Sequence, residues 1–202
     1  MIKLLSARLS FQNLFHPAVF EGKEGKHEAV FLLPRQDPDD PKQENPQVVA
    51  LRAAATELIK NYPQPISIPK ENWCIKDGDD KDYDGWQGML AIKASSDRRP
   101  HVVNRDRTPI TEADNIIFNG CYVNAAISLW VQNNKWGKRI NANLLGVQFV
   151  KDGEPFGETA AQPDTLFDDI DGGNNPAADK SWQAPKKPDL QDDQFNDDDI
   201  PF

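Results

Sequence analysis

The composition of the chain changes near residue 151, and this change limits where a folded core can form. Of the 32 acidic and 23 basic residues, 14 and 4 lie between residues 151 and 202, where large apolar residues are few and widely spaced. Such a segment buries too little apolar surface to offset the entropy lost when its chain is ordered. We therefore predict one folded domain over residues 1–152 and a disordered acidic tail over residues 153–202.

The same division explains the formal net charge of −9. Residues 1–150 keep 18 acidic and 19 basic residues, a net charge of +1, so the excess negative charge lies in the tail. An overall acidic chain is a poor partner for nucleic acid, but a near-neutral body with an acidic arm is not. Charged arms of this kind often serve as interaction tails.

Most of the first 150 residues show the patterns of β-strands. Apolar runs interrupted by single polar residues or closed by turn residues predict strands over 2–11, 28–33, 86–94, 120–131 and 140–150. One helix is predicted between the second and third strands, with Asn45 as N-cap and Pro46 as its first residue. Its apolar face is formed by Val48, Leu51, Ala55, Leu58 and Ile59. Five strands and one inserted helix favour a small closed β-barrel.

The cysteines and the N-terminus indicate where the chain works. Cys74 and Cys121 form no CxxC motif, and the first residues are too charged for a secretion signal. Together they predict a reducing, cytoplasmic environment. No segment approaches the ~20 apolar residues of a membrane span, so no membrane partner is expected.

The residues that usually mark an enzyme are scattered in this sequence. His16, His27 and His101 have no Cys or His at ligand spacing, and phosphate-binding glycine motifs are absent. The acidic segment 77–85 resembles the first half of a calcium loop, but the position that requires a bidentate glutamate is Ala91 in a predicted strand. We therefore predict a solvated acidic loop, no catalysis, and neither metal nor cofactor.

The last six residues have the chemistry of a docking peptide. A terminal Phe202 can fill an apolar pocket, its α-carboxylate can pair with an arginine, and Pro201 lowers the ordering cost. The preceding aspartates suit a basic ridge. The alternative is a tail that only aids solubility. We predict a partner-binding tip made of Asp197, Asp198, Asp199, Ile200, Pro201 and Phe202.

Two resemblances join these features. The tip resembles that of bacterial single-stranded-DNA-binding proteins, which dock onto clamp-loader, helicase, nuclease and repair partners. The body resembles phage-encoded single-stranded-DNA-binding proteins with an OB-fold. The segments that match are Ala94-Ser95-Ser96-Asp97-Arg98-Arg99-Pro100, Thr108-Pro109-Ile110-Thr111, Gly120-Cys121-Tyr122-Val123 and Val150-Lys151-Asp152-Gly153-Glu154-Pro155. The resemblance implies an OB-fold barrel that binds single-stranded DNA during phage DNA replication, recombination or repair in the infected bacterial cell.

Binding of single strands requires basic side chains beside exposed aromatic faces. Such residues cluster in the predicted turn 132–138 and around the third strand, which predicts a DNA-binding set of Trp136, Lys135, Lys138, Arg139, Arg98, Arg99, Lys93, Tyr122, Trp130, Trp86, Arg105 and Arg107. Core packing is the alternative for Trp86, Trp130 and Tyr122, because about half of the strand aromatics of a small barrel face inward. The alternative function is an acidic interaction protein that occupies the pockets of its partners without binding DNA.

Overall fold

The computed structural model describes residues 1–156; residues 157–202, which hold most of the predicted tail and all of its tip, lie outside the described part. The strands are β1 (Ile2–Asn13), β2 (Val19–Phe20), β3 (Lys23–Glu24), β4 (His27–Pro34), β5 (Ile75–Asp77), β6 (Met89–Ser96), β7 (His101–Val103), β8 (Tyr122–Asn134) and β9 (Gly137–Lys151). One α-helix, α1, spans Pro46–Lys60, and short 3₁₀ turns span Lys70–Asn72, Gly78–Asp80 and Glu112–Asp114.

Five long strands close into a barrel. Around the ring their order is β1, β4, β6, β9 and β8, with β8 pairing back to β1. The pairing of β6 with β9 is parallel, at Ala94–Ala142 and Ser95–Asn143, whereas the other four pairings are antiparallel. This mainly antiparallel five-stranded barrel confirms the predicted OB-fold.

The barrel is filled by alternate residues of its strands, as the period of two requires. Along β4, for example, Ala29, Phe31 and Leu33 are fully buried in the main core. Facing side chains from the other barrel strands complete this core; they include Leu4, Leu9, Ile92, Val123, Ile127, Ile140 and Leu144.

Helix α1 confirms the cap and apolar face predicted for it. The Asn45 side chain accepts a hydrogen bond from the backbone N–H of Gln47, and Val48, Leu51 and Ala55 are buried. The helix packs against β1 and β8. The Gln47 side chain also bonds both backbone groups of Leu5, where β1 bulges between its pairings with β8. The helix therefore stabilises the bend that β1 needs to pass around the barrel.

Two of the differences between predicted and observed strand boundaries move residues of the predicted site. β6 begins at Met89, so Trp86 lies in the preceding turn and not on the strand; Gly85 and Gly88, with φ of 71° and 69°, flank it there. The β8–β9 loop consists of only two residues, Lys135 and Trp136, because Asn134 pairs with Gly137. Lys138 and Arg139 consequently lie on β9. The short strands β2, β3, β5 and β7 carried too few residues to show a pattern.

The acidic segment that resembles a calcium loop is partly held to the body. Arg35 pairs with Asp77 and, at 2.7 Å, with Asp79. The second carboxylate oxygen of Asp79 accepts the N–H of Gly88 at 2.7 Å. Within residues 1–156 no group of His, Cys, Asp or Glu side chains is placed to hold a metal ion. Residues 79–84 are exposed, as the predicted solvated loop requires, and Arg35 in addition holds the start of the segment to the body.

Both cysteines are buried free thiols. Burial raises the pKa of Cys74 to about 11 and also raises the pKa of Cys121, so both carry their proton at neutral pH. In the part of the chain that the structure covers, no helix has the length and apolar character needed to cross a membrane.

Residues beyond the last strand still pack on the barrel. The Arg8 guanidinium donates to the Glu154 carbonyl oxygen at 2.6 Å and lies 4.2 Å from the centre of the Phe156 ring. The Phe156 N–H donates to the Asn119 carbonyl oxygen at 3.0 Å. This contact segment, residues 153–156, holds the end of the described chain against β1.

Candidate nucleic-acid interface

The outward face of β4 and β6 forms the floor of the candidate site. Because Ala29 and Phe31 enter the core, their neighbours Glu28 and Val30 face outward. Lys93 of β6 is paired with Val30 and is exposed, so it stands on the same outer face. These two strands are the second and third of the barrel, the face on which OB-folds commonly bind oligonucleotides.

Three aromatic rings stand together beside this floor. Phe11, Tyr83 and Trp86 make edge-to-face contacts, with ring centroids 5.0 Å apart for Phe11–Tyr83 and Tyr83–Trp86 and 5.7 Å apart for Phe11–Trp86. Phe11 is 48% exposed and Tyr83 is 43% exposed. We call these three residues the aromatic platform. The exposed rings of Phe11 and Tyr83 offer apolar faces of the kind on which nucleic-acid bases stack.

Trp86 is the buried member of the aromatic platform. Only 6% of it is exposed, and its indole N–H donates to the hydroxyl of the buried Ser10 at 3.1 Å. It packs with Val30, Leu32 and Ala91 in a small cluster outside the main core. The structure therefore places this predicted DNA-binding residue beneath two rings that are themselves accessible.

A continuous groove connects the platform with β9. Three adjoining depressions of about 450 to 530 Å³ share Lys93 in their lining. One end is bordered by Arg139 and Asn141 of β9, the middle by Lys76, and the other end by the aromatic platform. The groove thus contains basic side chains and aromatic faces, the two elements that hold a single strand. Among the described residues, four carboxylates also line it, those of Glu28, Glu71, Asp77 and Asp80.

The β8–β9 hairpin extends the groove. Trp136, in its loop, is 74% exposed, and the Lys135 ammonium lies 5.2 Å from the centre of its ring. Trp130 is 44% exposed and pairs across the strands with Asn141, so it stands at the groove edge. Arg139 is exposed on the same face of the hairpin, while the neighbouring Lys138 is exposed on the opposite face. This loop joins the fourth and fifth barrel strands, a second common binding element of OB-folds.

Tyr122 lies far from this hairpin. It is the first residue of the 13-residue strand β8, about 40 Å along the strand from the hairpin loop. The Arg8 and Lys151 side chains approach its ring at 5.7 Å and 4.6 Å. Tyr122 is therefore remote from the hairpin, and the Arg8 guanidinium links its ring to Phe156, which packs against the cluster of Trp86.

The four predicted arginines other than Arg139 also occupy separate places. Arg98 and Arg99 are exposed after the last residue of β6, and the Arg99 guanidinium lies 5.5 Å from the centre of the Phe15 ring. Arg105 and Arg107 are exposed beyond β7, where Arg105 lies 5.7 Å from the Phe149 ring centre. The structure does not bring these four residues together with the groove.

Comparisons with known proteins agree with this architecture. Residues 1–176 match a family model described as "Enterobacter phage Enc34, ssDNA-binding protein". A protein of Acyrthosiphon pisum secondary endosymbiont phage 1, "Putative protein p50", is 35% identical over 173 residues, which is 84% of this chain and 93% of that protein.

Solved structures show the same relationship. The single-stranded-DNA-binding protein from bacteriophage Enc34 in complex with single-stranded DNA is 34% identical, with a TM-score of 0.66 over 77% of this chain and 88% of the other. A second structure of the same phage protein is 32% identical, with a TM-score of 0.61 over 82% of this chain and 89% of the other. The barrel is thus the OB-fold of a phage single-stranded-DNA-binding protein. This chain belongs to the family of the Enterobacter phage Enc34 single-stranded-DNA-binding protein.

The sequence prediction missed four exposed basic or aromatic residues of the described groove lining: Phe11, Lys76, Lys81 and Tyr83. Phe11 lies on β1 and has a φ of 45°, next to the irregularity in the pairing of β1 with β4 that aims its side chain outward. Tyr83 lies in the acidic segment, whose carboxylates are the only feature that the sequence pattern brings out. No local pattern links the two, because Ser10 and Trp86, their neighbours, are 76 positions apart.

Proposed function

We propose that this protein binds single-stranded DNA with little sequence preference and catalyses no reaction. The observation that carries the proposal is the aromatic platform, whose Phe11 and Tyr83 rings are nearly half exposed beside Lys93 of β6. Membership of the Enc34 family, one member of which is described in complex with single-stranded DNA, supports the same function.

Bases would stack on Phe11 and Tyr83 and on the exposed tryptophans of the hairpin, while phosphates approach the basic side chains of the groove. Stacking on an aromatic ring contributes about 1–3 kcal/mol per base and tolerates every base, because each has a π-face. The basic side chains of the groove and its hairpin are those of Lys76, Lys81, Lys93, Lys135 and Arg139. Arg98, Arg99, Arg105, Arg107, Lys138 and Tyr122 stay predicted contacts of a longer strand.

The acidic tail has a proposed role of its own. We propose that residues 157–202, the part of the predicted tail beyond the contact segment, form an acidic arm. We also propose that Asp197–Phe202 recruits partner proteins during phage DNA replication, recombination or repair. The site of action would be the cytoplasm of the infected bacterium. The sequence chemistry of the tip supports this role: three carboxylates followed by Ile200, Pro201 and a terminal aromatic residue.

Titration of tryptophan fluorescence with an oligo-dT of a few tens of nucleotides tests the main proposal. Because Trp130 and Trp136 are exposed, we expect quenching that saturates for the single strand and stays small for a duplex. The logarithm of the binding constant should fall with the logarithm of salt by about 0.7 per neutralised phosphate. A flat signal together with an unchanged gel mobility would favour the acidic interaction protein instead.

An extension of the chain tests the tip. Adding Gly-Ser after Phe202 moves the carboxylate away from the aromatic ring, and we expect at least a tenfold loss of affinity for a bacterial protein that binds such tips. Affinity for oligo-dT should not change. Inserting the same dipeptide before Asp197 is the matched control and should leave both affinities intact. Equal partner binding by the two variants would contradict a role for the free terminus.

A further inference from the structure

An ion pair lies within the groove. The Lys93 ammonium is 2.8 Å from a carboxylate oxygen of Glu28, and the Glu28 side chain is only 26% exposed. Both residues line the depression that contains the aromatic platform. Among the described residues that line this depression, they are the only charged ones. In the unbound protein the one cation among the described residues of this depression is therefore already paired with a carboxylate.

From this geometry we propose that Glu28 acts as an internal competitor of the DNA phosphate for Lys93 and thereby sets the affinity of the groove. The inference rests on the proposed function, because it requires a phosphate to approach Lys93. A base stacked on Phe11 or Tyr83 brings its phosphate into the same depression. Lys93 must then leave Glu28, whose carboxylate remains close to the incoming negative charge.

The exchange has a signature in the salt dependence of binding. When Lys93 neutralises a phosphate, the strand releases a condensed cation. The Glu28 carboxylate, no longer paired with Lys93, then attracts a cation. The contact between Lys93 and the phosphate therefore adds almost nothing to the net number of cations released on binding. Without the carboxylate, the same contact contributes its full share, about 0.7 in the slope of log K against log salt.

Glu28→Gln is the test variant, because glutamine keeps the length of the side chain and removes its charge. In a titration of the full chain with oligo-dT at about 0.1 M salt, we expect binding about three- to tenfold tighter than that of the unmodified chain. The slope against salt should steepen by about 0.7. Glu57→Gln is the matched control: it removes one charge from an exposed position on α1, outside the groove lining, and should change the affinity less than twofold.

A double-mutant cycle with Lys93→Gln separates competition from general charge removal. In the Lys93→Gln background, Glu28→Gln should lose most of its effect, because no ammonium is left to release. An undiminished gain in that background, or equal effects of Glu28→Gln and Glu57→Gln, would overturn the inference while oligo-dT binding itself persists. Absence of single-strand binding by the unmodified chain would overturn the proposed function and this inference together.

Discussion

Replacing Phe11 and Tyr83 together with alanine is expected to weaken binding of oligo-dT roughly a hundredfold, about 3 kcal/mol. Each ring is nearly half exposed, and each would lose the stacking energy of one base. The expected loss is the same at low and high salt, because neither side chain is charged. Fluorescence anisotropy of a labelled oligonucleotide measures it directly, without depending on the tryptophans of the protein.

Two comparisons make this experiment specific. Tyr62→Ala removes a tyrosine that follows α1 and does not line the groove, so it should bind oligo-dT like the unmodified chain. Thermal unfolding of the double variant should show a cooperative transition, which establishes that the barrel is still folded. If the folded double variant kept its affinity, the strand would have to follow another path, such as the cluster around Tyr122.

Gly120→Ala is expected to destabilise the protein by about 3–5 kcal/mol and to lower its unfolding temperature by about 10 °C. Gly120 has a φ of 111°, which is strained for any residue with a Cβ atom. An added Cβ would also overlap the Glu154 carbonyl oxygen and lie 2.9 Å from the Pro155 Cα atom. Both contacts are with backbone, so no side-chain rotation relieves them.

Gly137→Ala is a matched control for the backbone strain. Gly137 has a φ of 114°, but no heavy atom lies within 4 Å of an added Cβ. The Gly137→Ala variant should therefore be destabilised only by backbone strain, about 1–3 kcal/mol. Urea unfolding of both variants gives the difference, which reports the packing of residues 153–156 on the barrel. Equal destabilisation would mean that this packing contributes nothing to stability in solution.

Much of the fold follows from local patterns. The five barrel strands and α1 were predicted because each is long enough for its apolar period to be visible, and because Asn45 and Pro46 mark the start of the helix. The short strands β5 and β7 have three residues each, and they form only because β6 and β9 offer them backbone partners. Their existence is a property of the assembled sheet.

The residues of the candidate site also differ in how far a local pattern predicts their exposure. Trp136 was predicted from its place in a turn between two strands, and the structure exposes it there. Trp86 gave the same signal of an aromatic residue near a basic strand, yet the Ser10 hydroxyl and its apolar neighbours bury it. Exposure of an aromatic residue depends on what packs over it, and a linear pattern carries no such information.

The sequence by itself determined the division into a near-neutral body and an acidic arm, the period of the strands, and the family of the chain. These depend on composition and on neighbours within a few residues. Only the tertiary structure placed Phe11 against Tyr83 and Glu28 against Lys93, because barrel closure brings together side chains from β1, β4, β6 and the acidic segment. The register of those strands, which is set by the buried face and the bulges of β1, decides which outward residues meet in the groove.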